Sequence, residues 1–233
     1  MTARPTFPPL LRGEEASAGL DPFDKAVSAA AIGTDPGLIV YDLGGDTLRA
    51  AIVLAPESSL VEAMAMVLAA GLGFADALGA LAPPEVGVHF DWPGGLRING
   101  AECGHLRAAA STREVAVEPD WLVVGLVLPL WAEGDPGDTP ERTVLYEEGC
   151  TEVTPTALIE SWSRHLLTWI HRYMEDGIGP LHADWRSRAF HMGEAVDHGG
   201  RAGTFMGLDE FGGMILRTEE GTIVLPLTEM LET

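Results

Sequence analysis

The chain has almost no lysine and few positive charges of any kind. Lys25 is the only lysine among 233 residues, and 14 basic side chains stand against 35 acidic ones, for a formal net charge of −21. Such a surface repels phosphate backbones, so we expect neither nucleic acid nor an anionic membrane as a partner. Any reaction that requires a lysine must use Lys25 or proceed without one.

Cysteine is equally scarce, and long apolar runs are absent. Two cysteines, Cys103 and Cys150, are too few for a disulfide scaffold and favour a reducing compartment. The N-terminus, MTARPTFPPLLRGEE, carries prolines and charges where a secretion signal has its apolar segment, and no run of about 18 apolar residues occurs. The sequence therefore predicts a cytoplasmic protein. Cys-x-x-Cys and His-Glu-x-x-His motifs are also missing, so we predict no metal site.

The most informative stretch is residues 85–108, EVGVHFDWPGGLRINGAECGHLRA. Val86, Val88 and Phe90 alternate with polar or small residues, the pattern of a strand with one buried face. Glycines after Pro93 turn the chain, and Asn99-Gly100 is a strong hairpin signal because both positions tolerate positive φ. A strand, a glycine corner and a hairpin are predicted in close succession.

Capping signals and apolar periodicity place the other elements. The predicted helices follow the N-cap Asp21, run from the capping box of Ser59 and Glu62 to Gly71, from Phe74 to Leu81, and from Thr154 to Gly177. Further strands are predicted at 38–41, 48–55 and 121–130, with an extended arm at 1–20 and an acidic loop or lid at 132–153. Short glycine-separated strands at 203–209, 214–217 and 222–227 indicate a small SH3-like β barrel.

The order of these segments resembles the biotin/lipoate protein ligase family. In that family a strand runs into Lys-Trp-Pro-Asn-Asp, crosses a hairpin and returns through Gly-Ile-Leu. The matching stretches here are Asp91-Trp92-Pro93-Gly94-Gly95 and Gly104-His105-Leu106. A Gly-x-x-x-Gly-Ile-Asp pattern in the family's C-terminal barrel is similar to Gly203 to Asp209. With about twenty residues before the first predicted helix, we expect no counterpart of the DNA-binding domain of the repressor members.

The resemblance implies an α/β (α+β) fold. We expect a mixed, largely antiparallel central sheet with flanking helices, as in class II synthetase and biotin ligase catalytic domains, over residues 1–185. A small SH3-like β barrel is expected over 186–233. If the family activity is retained, the chain uses ATP, Mg²⁺ and biotin or lipoate, and its partner is a small-molecule acid or a biotinyl or lipoyl carrier domain. The resemblance also allows a homodimer.

The resemblance further implies a set of ligand-binding positions. They comprise the turn before the third predicted strand, the Trp-Pro corner and the returning strand: Gly44, Gly45, Arg49, Asp91, Trp92, Pro93, Gly94, Gly95, Gly104, Leu106 and Arg107.

Three of the family's adenylation groups are replaced in this sequence. Asp91 stands at the lysine position, the arginine-rich glycine loop is reduced to Leu43–Arg49, and Pro129 stands where the family has an asparagine. Loss of one preorganised donor costs roughly 3 to 4 kcal/mol of transition-state stabilisation. The leading hypothesis is therefore a protein degenerate in its adenylation site, which binds a biotin- or lipoyl-like ligand or a carrier domain without efficient ATP-dependent transfer.

Two alternatives stay open at this point. An active biotin, lipoate or octanoyl ligase or acyltransferase could use relocated residues: Lys25 on the first helix, or Cys103 as a nucleophile with His105 as its base. Cys103 and His105 share a strand face if that strand is regular. The competing interpretations are a solvated lysine and a buried structural thiol. A purely structural or interaction protein, the third class, predicts no ligand.

Overall fold

A mixed seven-stranded sheet forms the centre of the protein. The computed structural model describes residues 4–132 and 141–232. The strands are β1 (Arg12–Glu15), β2 (Leu38–Asp42), β3 (Thr47–Leu54), β4 (Val88–Asp91), β5 (Gly95–Ile98), β6 (Ala101–Ala110) and β7 (Leu122–Pro129). Their order in the sheet is β1-β2-β3-β7-β6-β5-β4. β1 runs parallel to β2, and each of the other neighbouring pairs is antiparallel, which confirms the predicted fold class.

Helices cover the two faces of this sheet unequally. The helices are α1 (Pro22–Ala31), α2 (Leu60–Ala63), α3 (Ala65–Gly79), α4 (Pro155–Asp176) and α5 (Gly179–Ser187). α1 packs alone on one face, against β2, β3 and β7. α3 lies on the opposite face with α4 and α5 behind it, and almost every residue of α3 is buried. The large core therefore sits on the α3 side, and the α1 side has a small core of its own.

Three of the four predicted helix starts are confirmed by their caps, and the fourth, Phe74, lies inside α3. The Asp21 carboxylate accepts from Phe23 N and the Thr154 hydroxyl from Ala157 N, and Ser59 and Glu62 form the capping box. The predicted stop at Gly71 is wrong, because α3 continues to Gly79 and the interruption falls at Met64. Glycines inside α3 serve packing instead: a Cβ on Gly73 would lie 2.9 Å from the backbone nitrogen of Leu166 on α4.

The stretch Leu60–Gly79 is long and apolar enough to cross a membrane by length and composition alone, but 83% of its apolar 18-residue window is buried inside the structure. Burial of that extent is the pattern of a core helix. The two helices of this stretch, α2 and α3, contribute their side chains to the large core.

Two predicted loops contribute more structure than expected. Arg12–Glu15, inside the predicted arm, pairs with β2 as the edge strand of the sheet. The predicted loop 132–153 lies partly outside the described residues, at 133–140. Its described part forms a 3-10 turn, Leu145–Glu148, and buries Leu145, Cys150 and Val153 in the large core. Apolar anchors of this kind were hidden by the acidic composition around them.

The C-terminal strands form a second sheet. They are β8 (Ala195–His198), β9 (Arg201–Leu208), β10 (Met214–Arg217) and β11 (Thr222–Leu225), all antiparallel in the order β11-β10-β9-β8. Phe205, Met214 and Leu216 join the large core. The strands form a four-stranded sheet, and the SH3-like barrel and the boundary at residue 186 stay predictions.

The close approach of α3 and α4 at Gly73 yields a stability test. Gly73→Ala should lower the free energy of unfolding by about 1 to 3 kcal/mol, because the new methyl group overlaps the α4 backbone. Gly79→Ala is the matched control, since nothing lies within 4 Å of a Cβ there, and it should leave stability unchanged or raise it by up to about 1 kcal/mol. Denaturant unfolding measures both. Equal effects of the two substitutions would contradict the packing role of Gly73.

Candidate functional site

α1 covers only half of its sheet face. Its side chains pack on Val40, Ala51, Ala109 and Val123. Phe23 lies so close over β7 that a Cβ on Gly125 would be 2.6 Å from the Phe23 ring. α1 does not extend over this face beyond Phe23, and Arg49, Val127 and His105 there are half-buried or exposed.

The uncovered half carries one row of cross-strand neighbours. Arg49 pairs with Val127, Val127 with His105, His105 with Gly95, and Gly95 with Asp91. Residues directly opposite one another in an antiparallel sheet share a face. We call these five residues the open row. Neighbouring strands lie about 4.8 Å apart, so the four spacings from Arg49 to Asp91 span about 19 Å. The structure thus brings four predicted site residues, Arg49, Asp91, Gly95 and His105, to one face.

Asp91 is held in an ion pair with Arg97. Arg97 Nε donates to Asp91 Oδ2, and Arg97 Nη1 donates to the Gly100 carbonyl at 2.8 Å. The guanidinium also lies 4.4 Å from the ring centre of Phe190 and 3.3 Å from Glu102 Oε1, and the Arg97 side chain is only 12% exposed. The carboxylate at the position of the family's lysine is therefore compensated from within the same hairpin.

Arg97 was missed at the level of the sequence although a signal was present. The predicted glycine turn after Pro93 joins β4 to β5, and across this pair Gly95 lies opposite Asp91 and Arg97 opposite His89. Arg97 is two residues from Gly95 on the same strand, so period-two alternation puts it on the same face as Asp91. The register alone pointed to this pair.

The Trp-Pro corner positions Asp91 and packs against the core. Trp92 is buried and its Nε1 donates to the Gly212 carbonyl at 2.9 Å. The Gly94 carbonyl accepts from Leu106 N at 2.7 Å. A Cβ on Gly95 would lie 2.8 Å from the Asp91 Cβ. Pro93, which lies between Trp92 and Gly94 in the chain, is half-buried. These contacts shape the corner, and ligand binding by its residues stays a prediction.

Other residues of the predicted ligand-binding set also make contacts within the protein. A Cβ on Gly104 would collide with the Val127 carbonyl, and Leu106 belongs to the large core. Gly44 and Gly45 form the exposed turn between β2 and β3, where Gly44 N donates to Asp42 Oδ1 at 2.9 Å and Gly45 has φ of +92°. The last residue of the predicted set, Arg107, lies beyond the open row, beneath α1.

Arg107 is saturated by carboxylates. It lies 2.6 Å from Asp21 Oδ2, donates to both Glu232 carboxylate oxygens at 2.7 Å, and stacks 4.1 Å from the Phe23 ring centre. The hydrogen bond to Glu232 raises the pKa of Arg107 further above its ordinary value. This guanidinium joins α1, β6 and the C-terminal tail, and its predicted ligand contact stays a prediction. Glu232 lies 125 residues away, so no local pattern announced it.

Lys25 is likewise occupied and remote from the open row. Its Nζ lies 2.7 Å from Glu14 Oε1 and donates to the Glu15 carbonyl at 3.2 Å. These contacts tie α1 to β1 at the edge of the sheet. The structure does not bring Lys25 into the open row, so the relocated-lysine alternative gains no support.

Cys103 and His105 do not share a face, because the strand is irregular. Leu96 pairs with Gly104 but Arg97 with Glu102, so Cys103 occupies a β-bulge. Cys103 therefore turns into the large core. His105 stays on the opposite, open side. The predicted nucleophile and base are separated by the sheet.

Their pKa shifts agree with this separation. Burial, with smaller contributions from Glu148, Cys150 and Glu147, raises the pKa of Cys103 to about 12. Partial desolvation, followed by the Arg107 charge, lowers the pKa of His105 although its side chain is exposed. Cys103 is thus a protonated thiol at neutral pH and His105 is a neutral imidazole.

The open row is poor in available positive charge. All 14 basic side chains fall within the described ranges. Four of them, Arg12, Arg49, Arg97 and Arg107, lie on strands of the central sheet. Arg97 and Arg107 are paired with carboxylates, and Arg12 donates to Thr34 and to the carbonyls of 35 and 36. Among residues 4–132 and 141–232, Arg49 makes no ion pair.

Known proteins share this architecture. A model of the biotin/lipoate A/B protein ligase family matches residues 7–187, and a domain of unknown function (DUF4444) matches residues 192–233. A biotin protein ligase-like protein of unknown function from Silicibacter sp. TM1040 is 58% identical, with a TM-score of 0.93 over 98% of this chain and 100% of that one. The biotin protein ligase of Aquifex aeolicus is 18% identical, with a TM-score of 0.73 over 94% of this chain and 96% of that one.

A sequence relative points the same way. The biotin--[acetyl-CoA-carboxylase] ligase of Paracoccus denitrificans is 27% identical over 188 residues, 77% of each chain. The sheet, its open face and the tryptophan-proline corner define a protein with the biotin protein ligase fold. Since the family model matches most of its length, the chain belongs to the biotin/lipoate A/B protein ligase family. The resemblance predicted from the sequence is confirmed.

The burial of Cys103 predicts low thiol reactivity. With a pKa of about 12, only about one thiol in ten thousand is ionised at about pH 8, so alkylation of the native protein should be far slower than that of free cysteine. Both cysteines should react readily once guanidinium chloride unfolds the chain. Mass spectrometry of iodoacetamide-treated Cys103→Ser and Cys150→Ser assigns each site. Rapid alkylation of native Cys103 would restore the nucleophile hypothesis.

Proposed function

We propose that the open row binds a small biotin-like or lipoyl-like acid, free or carried on a partner's carrier domain, and does so without efficient ATP-dependent transfer. The observation that carries this proposal is the state of the cations on the sheet: Arg97 neutralises Asp91, Arg107 is held by Asp21 and Glu232, and Arg49 has no ion partner among the described residues. The family supports the class of ligand.

Arg49 can hold the carboxylate of such a ligand in spite of Asp91. The two side chains are separated by about 19 Å along the open row, and exposed charges are screened over about 8 Å at physiological ionic strength. Asp91 is also compensated by Arg97. The apolar part of the ligand would lie along Val127 towards His105, an uncharged neighbour because its pKa is lowered. One arginine and a partly apolar strand face suit one monocarboxylic acid.

The same face does not suit adenylation. Joining an acid to the α-phosphate of ATP brings a carboxylate and a triphosphate together, and several positive groups must offset their repulsion. The described residues offer Arg49 alone on the open row, while its far end is the Asp91–Arg97 pair. ATP with Mg²⁺ therefore does not fit the charges present, and we derive no step through it.

Location and assembly complete the proposal. We place the protein in the cytoplasm, in keeping with two free, buried cysteines. The ligand class implies a carrier domain as the partner. A measurement of the mass in solution tests whether the protein forms a homodimer.

Calorimetry with biotin, lipoate and octanoate tests the ligand assignment. At least one acid should bind, its amide should bind more weakly, and ATP with Mg²⁺ should leave the affinity unchanged. Arg49→Ala should weaken acid binding about 10- to 100-fold, because a charge-assisted hydrogen bond contributes roughly 1.5 to 3 kcal/mol. Arg217→Ala is the control, an exposed strand arginine away from the row. Absence of binding by all three acids would favour a structural role, and a wild-type affinity in Arg49→Ala would contradict the proposed contact.

A further inference from the structure

The C-terminal tail of the chain reaches the side of the central sheet that carries the open row. Leu231 forms a parallel bridge with Ala108 on β6, and Glu232 N donates to the Ala108 carbonyl at 2.8 Å. The Leu231 side chain is buried in the large core, whereas Glu232 is exposed. Successive residues of an extended segment point to opposite faces of a sheet. Glu232 therefore lies on the α1 side, which is also the side of the open row.

Glu232 occupies the edge of Arg107 that is best suited to hold an anion. Arg107 Nε and Nη2 donate to the two carboxylate oxygens of Glu232, each at 2.7 Å. Nη1 donates to Asp21 Oδ2 at 2.6 Å, and Asp24 lies 3.7 Å from Nη2, too far for a hydrogen bond. A guanidinium binds a carboxylate most strongly through two parallel hydrogen bonds. Glu232 fills this two-bond edge, and Asp21 takes only the remaining nitrogen.

Arg107 lies beside the end of the open row at which the chain of a bound acid would finish. It follows His105 by two residues on the regular part of β6, so the two side chains share one face. Arg107 is two strands and two residues away from Arg49, which corresponds to about 12 Å between their Cα atoms. Extended octanedioate separates its two carboxyl carbons by about 9 Å. A hydrogen bond at each end bridges the remainder.

The charges at this end of the row disfavour a second anion. Arg107 is neutralised by carboxylates, and His105 is a neutral imidazole. Burial and the Arg107 charge lower the pKa of His105, and the Glu232 charge partly offsets them, so Glu232 acts at the row itself. An uncharged chain end fits these surroundings, whereas a second carboxylate would be repelled by Glu232 and would find Arg107 occupied.

We propose that Glu232 is a specificity-determining residue of the open row, which restricts the row to acids with a single carboxylate by occupying Arg107. Arg49 holds the one carboxylate of the ligand, and Glu232 excludes a second. This inference rests on the proposed acid-binding function. Selection of this kind works by an unfavourable contact with the wrong ligand rather than by a better contact with the right one. It also gives a role to the C-terminal segment, which lies outside the span of the ligase family model.

Calorimetry with octanoate and octanedioate tests this role, because the two acids differ by one carboxylate. The wild type should bind octanoate more tightly than octanedioate. In Glu232→Ala the affinity for octanedioate should rise about 10-fold or more, since charge-assisted hydrogen bonds to Arg107 become available, and the affinity for octanoate should change less than about twofold. Glu229→Ala is the matched control. Glu229 pairs with Arg201 through both carboxylate oxygens, away from the row, and its loss should change neither affinity.

Arg107→Ala combined with Glu232→Ala identifies the group responsible for the gain. The double variant should lose the octanedioate gain and keep octanoate binding, which also shows that it folds. A gain that survives in the double variant, or no gain in Glu232→Ala, would overturn the inference, and the proposed function would stand as long as a monocarboxylic acid binds. Absence of binding by biotin, lipoate and octanoate would instead contradict the proposed function.

A second readout requires no ligand. The pKa of His105, followed by NMR, should fall in Glu232→Ala, because the carboxylate that raises it is removed. The same pKa should not change in Glu229→Ala. An unchanged His105 pKa in Glu232→Ala would place Glu232 away from the row and overturn the inference.

Discussion

The ion pair between Asp91 and Arg97 is the interaction on which the function proposed for the open row depends. A carboxylate at the end of β4 would repel any acid nearby if it stood alone, but Arg97 reaches it within one hairpin, with Phe190 stacked over the guanidinium. The pair satisfies two charges at once and leaves neither available to a ligand. Because Asp91 takes the place of the lysine in the family motif, the replacement removes one positive charge and consumes a second.

Two other basic residues on the α1 side of the sheet are also paired with carboxylates. Arg107 is divided between Asp21 and Glu232, and Lys25 is tied to Glu14. The chain has 35 acidic and 14 basic residues. Carboxylates of the protein therefore compete with a ligand for each surface arginine. Arg49 is the exception and has no carboxylate partner among the described residues. The cover of α1 over the sheet ends where Phe23 lies on Gly125, so the side chains of the open row stay accessible to solvent.

Local signals predicted much of the fold, and long-range packing explains the errors. Caps at Asp21, Ser59 and Thr154 depend on residues three or four positions apart, so they were readable in the sequence. Gly71 was misread as a helix end, because the role of a helical glycine depends on the neighbouring elements, here Phe90 and Leu106. The mixed, largely antiparallel sheet followed from the family resemblance, which no single segment could have supplied.

The candidate site was predictable only in part, for related reasons. The hairpin register contained the Asp91–Arg97 pair, but a β-bulge at Cys103 broke the alternation on which the Cys103–His105 hypothesis rested. The bonds from Arg107 to Glu232 and from Trp92 to the Gly212 carbonyl join segments more than 100 residues apart in the chain. Such contacts depend on tertiary packing, and no periodic pattern in the sequence predicts them.

Isotope exchange between pyrophosphate and ATP, measured with biotin, lipoate or octanoate present, tests the central claim most directly. The reaction reports formation of an acyl-adenylate and nothing later. A face on which Arg49 is the one arginine of the open row, left without a carboxylate partner among the described residues, should give no exchange above the level seen without acid, in the presence of Mg²⁺ and at saturating acid. Acid-dependent exchange, lost in Arg49→Ala, would show that adenylation survives and would contradict the account.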